Sequence, residues 1–191
     1  MKKSRNSNRE LIKRTATGAI LAATATVLLI MGGIFEILDM TSAAIASVAI
    51  LVAYVEFGAK TSLCIFAVSA VLSLILFPMA SSTIYFAFVL GYYPILKFTF
   101  EKKLSKLRWL ATLLKFVVFN GGCGIVLFIF SKIYGLDTVL AEFELGFVTG
   151  ESVMLTLFVM LNIFFIMFDM LLNSLTVIYV KLLRKRIFGT K

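Results

Sequence analysis

Long apolar runs separated by short polar breaks set the pattern of this chain. Breaks at 36–39, 56–60, 77–82, 101–108 and 132–151 divide it into six runs, roughly 15–35, 40–55, 61–77, 82–100, 109–131 and 152–180. A helix rises 1.5 Å per residue and the hydrocarbon core of a bilayer is ~30 Å thick, so each run predicts a membrane-crossing α-helix. The second and third runs are short, at about 16–17 residues, and call for local bilayer thinning or wider boundaries. The sixth is long, and tilt or extension past the headgroups would absorb the excess. No internal repeat is evident, which disfavours an inverted-repeat transporter.

The connector between the fourth and fifth runs orients the set. It reads Glu101-Lys-Lys-Leu-Ser-Lys-Leu-Arg108, and a short loop rich in Lys and Arg belongs in the cytoplasm. Alternation then puts the basic tail 1–14, Lys60 and the basic tail 181–191 on the same side. On the other side only Lys132 is basic, facing Glu36, Asp39, Asp137, Glu142, Glu144 and Glu151. The expected fold is therefore an all-α membrane protein, a six-span domain over 15–180 with both termini cytoplasmic. The first 14 residues resemble the start of a signal peptide, and Ala23-Thr24-Ala25 a cleavage triplet. That triplet falls early in the apolar run and further spans follow, so an uncleaved first helix is expected.

Composition narrows the chemistry. Over 191 residues, 61% are hydrophobic and the mean hydropathy is +1.02, more apolar surface than a water-soluble domain of this size can hide. The bilayer of the plasma membrane is the expected solvent. The formal charge of +9 gathers at membrane edges, which reports topology and anionic headgroups and not nucleic acid. There is no histidine, which removes imidazole acid–base catalysis and the usual zinc sites. Cys64 and Cys123 lie in apolar runs without metal or redox spacing. No phosphate-binding GxxxxGK[ST] loop is present. No catalytic residue, cofactor or metal is expected.

Polar residues inside the runs are the candidates that remain. Asn162, Asp169, Asn173 and Thr176 form one stripe on the sixth span. A charge near the bilayer middle costs at least ~2.5–3.5 kcal/mol, so Asp169 should face inward and find a partner. Lys115 in the fifth span is the expected one, with Glu56 as a competing carboxylate. The pair reads either as a structural lock between the two spans or as part of a site. Lys97 is expected to snorkel to the inner surface. Gly91-Tyr92-Tyr93-Pro94 should break the fourth span. Ser62, Ser69 and Ser73 form a stripe suited to helix packing. The segment 132–151 spaces Leu136, Val139, Leu140, Phe143 and Phe147 as an amphipathic surface helix, either a lid or an interfacial anchor. In the first span Gly18, Ala22, Ala25 and Gly32 share a face, with Ala19, Ala23 and Thr26 beside it. Such a face packs within the bundle or docks another membrane protein.

The basic tail, the Ala19-x-x-x-Ala23 span, Leu38-Asp39 and a small-residue second span ending in Glu56-Phe57-Gly58 carry a likeness. Over about residues 14–60 the chain resembles the substrate-binding S component of energy-coupling factor vitamin transporters. The resemblance implies six helices, capture of a vitamin-like solute from outside, and delivery through a transmembrane coupling subunit and two ATPases. Gly18, Ala19, Ala22 and Ala23 would then form the docking face. The pocket would open outward among spans four to six, under the first and fifth connectors, with Tyr85, Asn120, Glu151 and Asn162 as substrate-binding candidates. In size and span count the chain is also similar to small cell-shape scaffolds of bacterial envelope complexes, but it lacks their polar-glycine signature after the second span.

Overall fold

A computed structural model describes residues 2–141 and 151–183, all helical apart from short connections. Helix α1 spans Lys2–Ile34, α2 Asp39–Phe57 and α3 Ala59–Leu76. The fourth span is composite: α4 (Ser81–Tyr85), a π-helical turn Phe86–Leu90 and α5 (Tyr93–Lys103). Then come α6 (Arg108–Tyr134), a short α7 (Leu136–Ala141) and α8 (Glu151–Ile178), which ends in a second π turn, Tyr179–Leu183. Six stretches are long and apolar enough to cross a membrane: Leu11–Ile34, Asp39–Phe57, Ala59–Leu76, Ser81–Lys103, Arg108–Tyr134 and Ser152–Lys181.

Two boundaries differ from expectation. Spans two and three have 19 and 18 residues, close to the ~30 Å core without thinning. Only Gly58 separates them, because at φ +80° it turns the chain in a single residue. Its N–H donates to the Tyr54 carbonyl at 2.9 Å and its carbonyl accepts from Ser62 N–H at 3.1 Å. That backbone conformation suits glycine. The basic N-terminal stretch is helical and continuous with α1 from Lys2. Of the surface helix expected across 132–151, α7 accounts for 136–141, and residues 142–150 lie outside the described residues.

Small residues build the centre. In lipid, helices gain little from apolar burial against one another, so close backbone approach and interhelical hydrogen bonds hold them. Helix α2 buries Ala43, Ala46, Ala49 and Ala53, and α1 buries Ala22, Ala25 and Leu29. Hydroxyls on the expected α3 stripe are wholly buried. Ser62 donates to the Ile50 carbonyl of α2 at 2.9 Å, while Ser69 and Ser73 donate within α3, Ser69 also approaching the Ala22 carbonyl at 3.4 Å. Ser82 donates to the Leu29 carbonyl at 2.8 Å, tying the fourth span to α1. At the end rich in basic residues, Arg14 donates to the Phe57 carbonyl and to Thr61, each at 3.0 Å.

The fourth span breaks where expected. Gly91 N–H reaches back five residues to the Phe86 carbonyl at 2.8 Å, and Gly91–Tyr92 forms a turn before α5. Pro94 falls in the first turn of α5, where its missing N–H costs nothing. Helix α6 lies close against this break, since a Cβ on Gly122 would sit 2.7 Å from the Tyr92 hydroxyl. The break turns Tyr93 inward, where it is almost fully buried among Phe119, Phe165 and Phe168. Helices α6 and α8 are the least buried spans, with 22% and 17% of their most apolar windows inside.

Candidate functional site

Tyr93, Lys97 and Glu101 follow one another at four-residue spacing on α5 and so share a face. That face meets Lys115 of α6 and Asp169 of α8 in a closed ring. Lys97 Nζ lies 2.6 Å from Asp169 Oδ1 and 3.2 Å from Glu101 Oε1. Lys115 Nζ lies 2.9 Å from Glu101 Oε1 and 3.2 Å from Asp169 Oδ1. The Tyr93 hydroxyl donates to Asp169 Oδ1 at 2.6 Å. Two ammonium and two carboxylate groups balance, and every cation has two anionic neighbours. This balance is what permits full charges in the membrane-spanning region, where one alone would be costly.

The side chains differ in exposure: Lys97 0%, Lys115 6%, Asp169 20% and Glu101 37%. The expected snorkelling of Lys97 is therefore corrected. Its ammonium turns into the bundle because Asp169 and Glu101 both lie within reach there, which beats extension to the headgroups. Glu56 is not part of the ring; it accepts a hydrogen bond from Tyr179 at 3.1 Å.

Asn120 and Asn162 bridge α6 and α8 reciprocally. Asn120 Nδ2 donates to Asn162 Oδ1 at 3.0 Å, and Asn162 Nδ2 donates back at 3.3 Å. Each also donates to its own helix, to the Phe116 carbonyl at 3.0 Å and the Phe158 carbonyl at 2.8 Å. Their amide capacity is thus engaged between helices, and neither lines the cavity described next. The two expected substrate contacts thus form an interhelical clasp. Asn173, expected on the same stripe, is exposed, and Thr176 donates to the Leu172 carbonyl at 2.7 Å.

A cleft of about 670 Å³ opens at the end opposite the basic connectors, bordered by Gly33, Asp39, Phe77, Ser81, Tyr85 and Tyr134. Beneath it lies an apolar pocket of about 70 Å³ among Val89, Leu90, Cys123, Val126, Leu157 and Leu161. Met40, Tyr85, Phe130 and Val139 line both, so the pocket is the floor of the cleft. Tyr85 holds its position edge-on to Phe130, ring centroids 5.6 Å apart. The pocket belongs to spans two, four, five and six, with α7 at its rim, and Gly33 of the first span joins the border of the cleft. Asp39, at the start of α2, supplies a carboxylate at the mouth.

Of the expected binding residues, Tyr85 alone lines this cleft among the side chains described. Glu151 begins α8, and its side chain lies outside the described residues. The docking quartet splits: Gly18 and Ala22 are buried against the bundle, whereas Ala19 and Ala23 are exposed. A helix turns 100° per residue, so neighbours in sequence point to different sides. Met40 was not singled out from sequence, whereas Val139 was read on the amphipathic segment after α6 and Asp39 among the acidic residues of the same side; Lys97 and Glu101 were legible as an i, i+4 pair of opposite charge. Among the described residues no cluster of three His, Cys, Asp or Glu side chains could hold a metal ion.

Six membrane-length helices around these polar clusters define a multi-pass membrane protein. No protein-family model, curated protein or solved structure matches the chain.

Proposed function

We propose that this protein is a solute-capture subunit of the energy-coupling factor kind, set in the plasma membrane with both termini in the cytoplasm. The observation that carries the reading is the cleft over an apolar floor, at the end opposite the basic connectors. With those connectors cytoplasmic, the cleft faces outward and receives a small solute whose apolar part enters between Val89 and Leu161. The likeness of residues 14–60 to S components supports the same reading. In it, import requires a transmembrane coupling subunit and ATPases, which dock at the exposed side of α1 bearing Ala19 and Ala23.

The test is purification from native membranes in mild detergent, with mass spectrometry of co-purifying proteins and small molecules. The wild-type protein should carry a metabolite that Leu161→Trp, which fills the pocket floor from the least buried helix, loses. Co-purifying ATPases should disappear with Ala19→Trp while the variant stays folded. A metabolite-free protein accompanied by wall-synthesis partners would overturn capture and favour an envelope scaffold.

A further inference from the structure

We propose that the cavity where α5 passes into α6 binds the phosphate of an anionic phospholipid in the leaflet at the basic end. The cavity measures about 350 Å³ and is lined by Glu101, Ser105, Arg108, Thr112 and Lys115, with Leu104 and Ala111 as its apolar side. Two of these charges are already answered. Glu101 faces Lys97 at 3.2 Å and Lys115 at 2.9 Å, inside the ring that Asp169 completes. Arg108 is the surplus cation. It is exposed and takes part in none of the ion pairs among the described residues.

A guanidinium presents paired N–H groups that fit two oxygens of a phosphate. Ser105 is exposed beside it and brings a hydroxyl donor. The Thr112 hydroxyl donates to the Arg108 carbonyl at 3.1 Å, so it holds the first turn of the helix and does not donate to the ligand. Exposed Lys102, Lys103 and Lys106 on the same connector raise the local concentration of anions.

The surroundings favour a lipid over a free anion. Trp109, next to Arg108, is 68% exposed, the position of an indole at headgroup depth. Beyond it Leu113, Phe116 and Val117 expose an apolar track along α6, on which an acyl chain can lie while its phosphate reaches Arg108. Inorganic phosphate shares the polar chemistry but makes no use of that track.

Native mass spectrometry of the full chain in neutral detergent separates these cases, with phosphatidylglycerol, phosphatidylcholine and inorganic phosphate as probes. Phosphatidylglycerol should bind saturably and in preference to phosphatidylcholine, and equimolar inorganic phosphate should not displace it. Arg108→Ala should weaken it roughly tenfold and Lys106→Ala less than twofold, because only the former lines the cavity. Ser105→Asp, an anion placed at an exposed position of the cavity, should abolish the preference without lowering the melting midpoint. Equal losses from Arg108→Ala and Lys106→Ala would show diffuse attraction and overturn the site. Equal binding of the two lipids would overturn it as well, and displacement by inorganic phosphate would overturn the lipid as its source.

Discussion

Asp169→Asn is the sharpest test of how the last three spans are held. The carboxylate accepts from Tyr93 at 2.6 Å, from Lys97 at 2.6 Å and from Lys115 at 3.2 Å. The amide keeps the shape but removes the charge, leaving Lys97 and Lys115 to share Glu101. One positive charge is then uncompensated, and Lys97 has no exposure to water at all. Breaking a buried ion pair from one side costs about 3–5 kcal/mol. Asp169 is 20% exposed, so water screens part of the change and about 2–4 kcal/mol is expected. Lys97→Met should cost a similar amount with the opposite sign of residual charge. The double variant restores a neutral Lys115–Glu101 pair and should recover about 1–3 kcal/mol of the summed losses. Lys115→Met should couple more weakly to Asp169, its contact being longer and its side chain less buried. Reversible unfolding in mixed micelles, followed by far-UV circular dichroism, measures the wild type, the three single variants and the two double variants that pair Asp169→Asn with Lys97→Met or Lys115→Met. Additive losses in the Lys97–Asp169 cycle would refute the ring as a coupled unit.

Further outcomes follow from packing and topology. Asn120→Leu or Asn162→Leu alone should cost about 0.5–1.5 kcal/mol, and the double no more than the worse single, because each amide keeps its own-helix carbonyl and loses only the clasp; the same unfolding assay decides it. Gly122→Ala should destabilise by about 1–3 kcal/mol, since the added carbon meets Phe88 and Tyr92. Gly121→Ala, which meets nothing within 4 Å, should be neutral or slightly stabilising. In a Cys64→Ser/Cys123→Ser background, Ser81→Cys should react with an impermeant maleimide on intact cells and Ser105→Cys only after lysis; the reverse pattern would invert the proposed topology.

Helix number and span positions were legible because a backbone in lipid must satisfy its hydrogen bonds within each segment, so long apolar runs declare themselves locally. The break at Gly91–Pro94 was legible for the same reason: a missing N–H acts on its own turn. The pairing of Lys115 with Asp169 could be anticipated because few ionisable groups lie so deep. The destination of Lys97 could not. Snorkelling and inward pairing are both open to a long side chain, and the choice depends on whether α8 brings the Asp169 carboxylate to its face.

The asparagines show the same division. Their spacing puts them on helix faces, but only the rotation of α6 against α8 sets them opposite each other and away from the cleft. Likewise the small-residue pattern of α1 marked a packing surface, and the position of α3 and α2 decided that Gly18 and Ala22 are consumed by it while Ala19 and Ala23 are not. Sequence alone therefore determined the number and approximate positions of the spans and the charge asymmetry of their ends, all properties of single segments. The tertiary structure decided which polar groups meet and where a cavity is left, because those depend on how neighbouring helices rotate and approach.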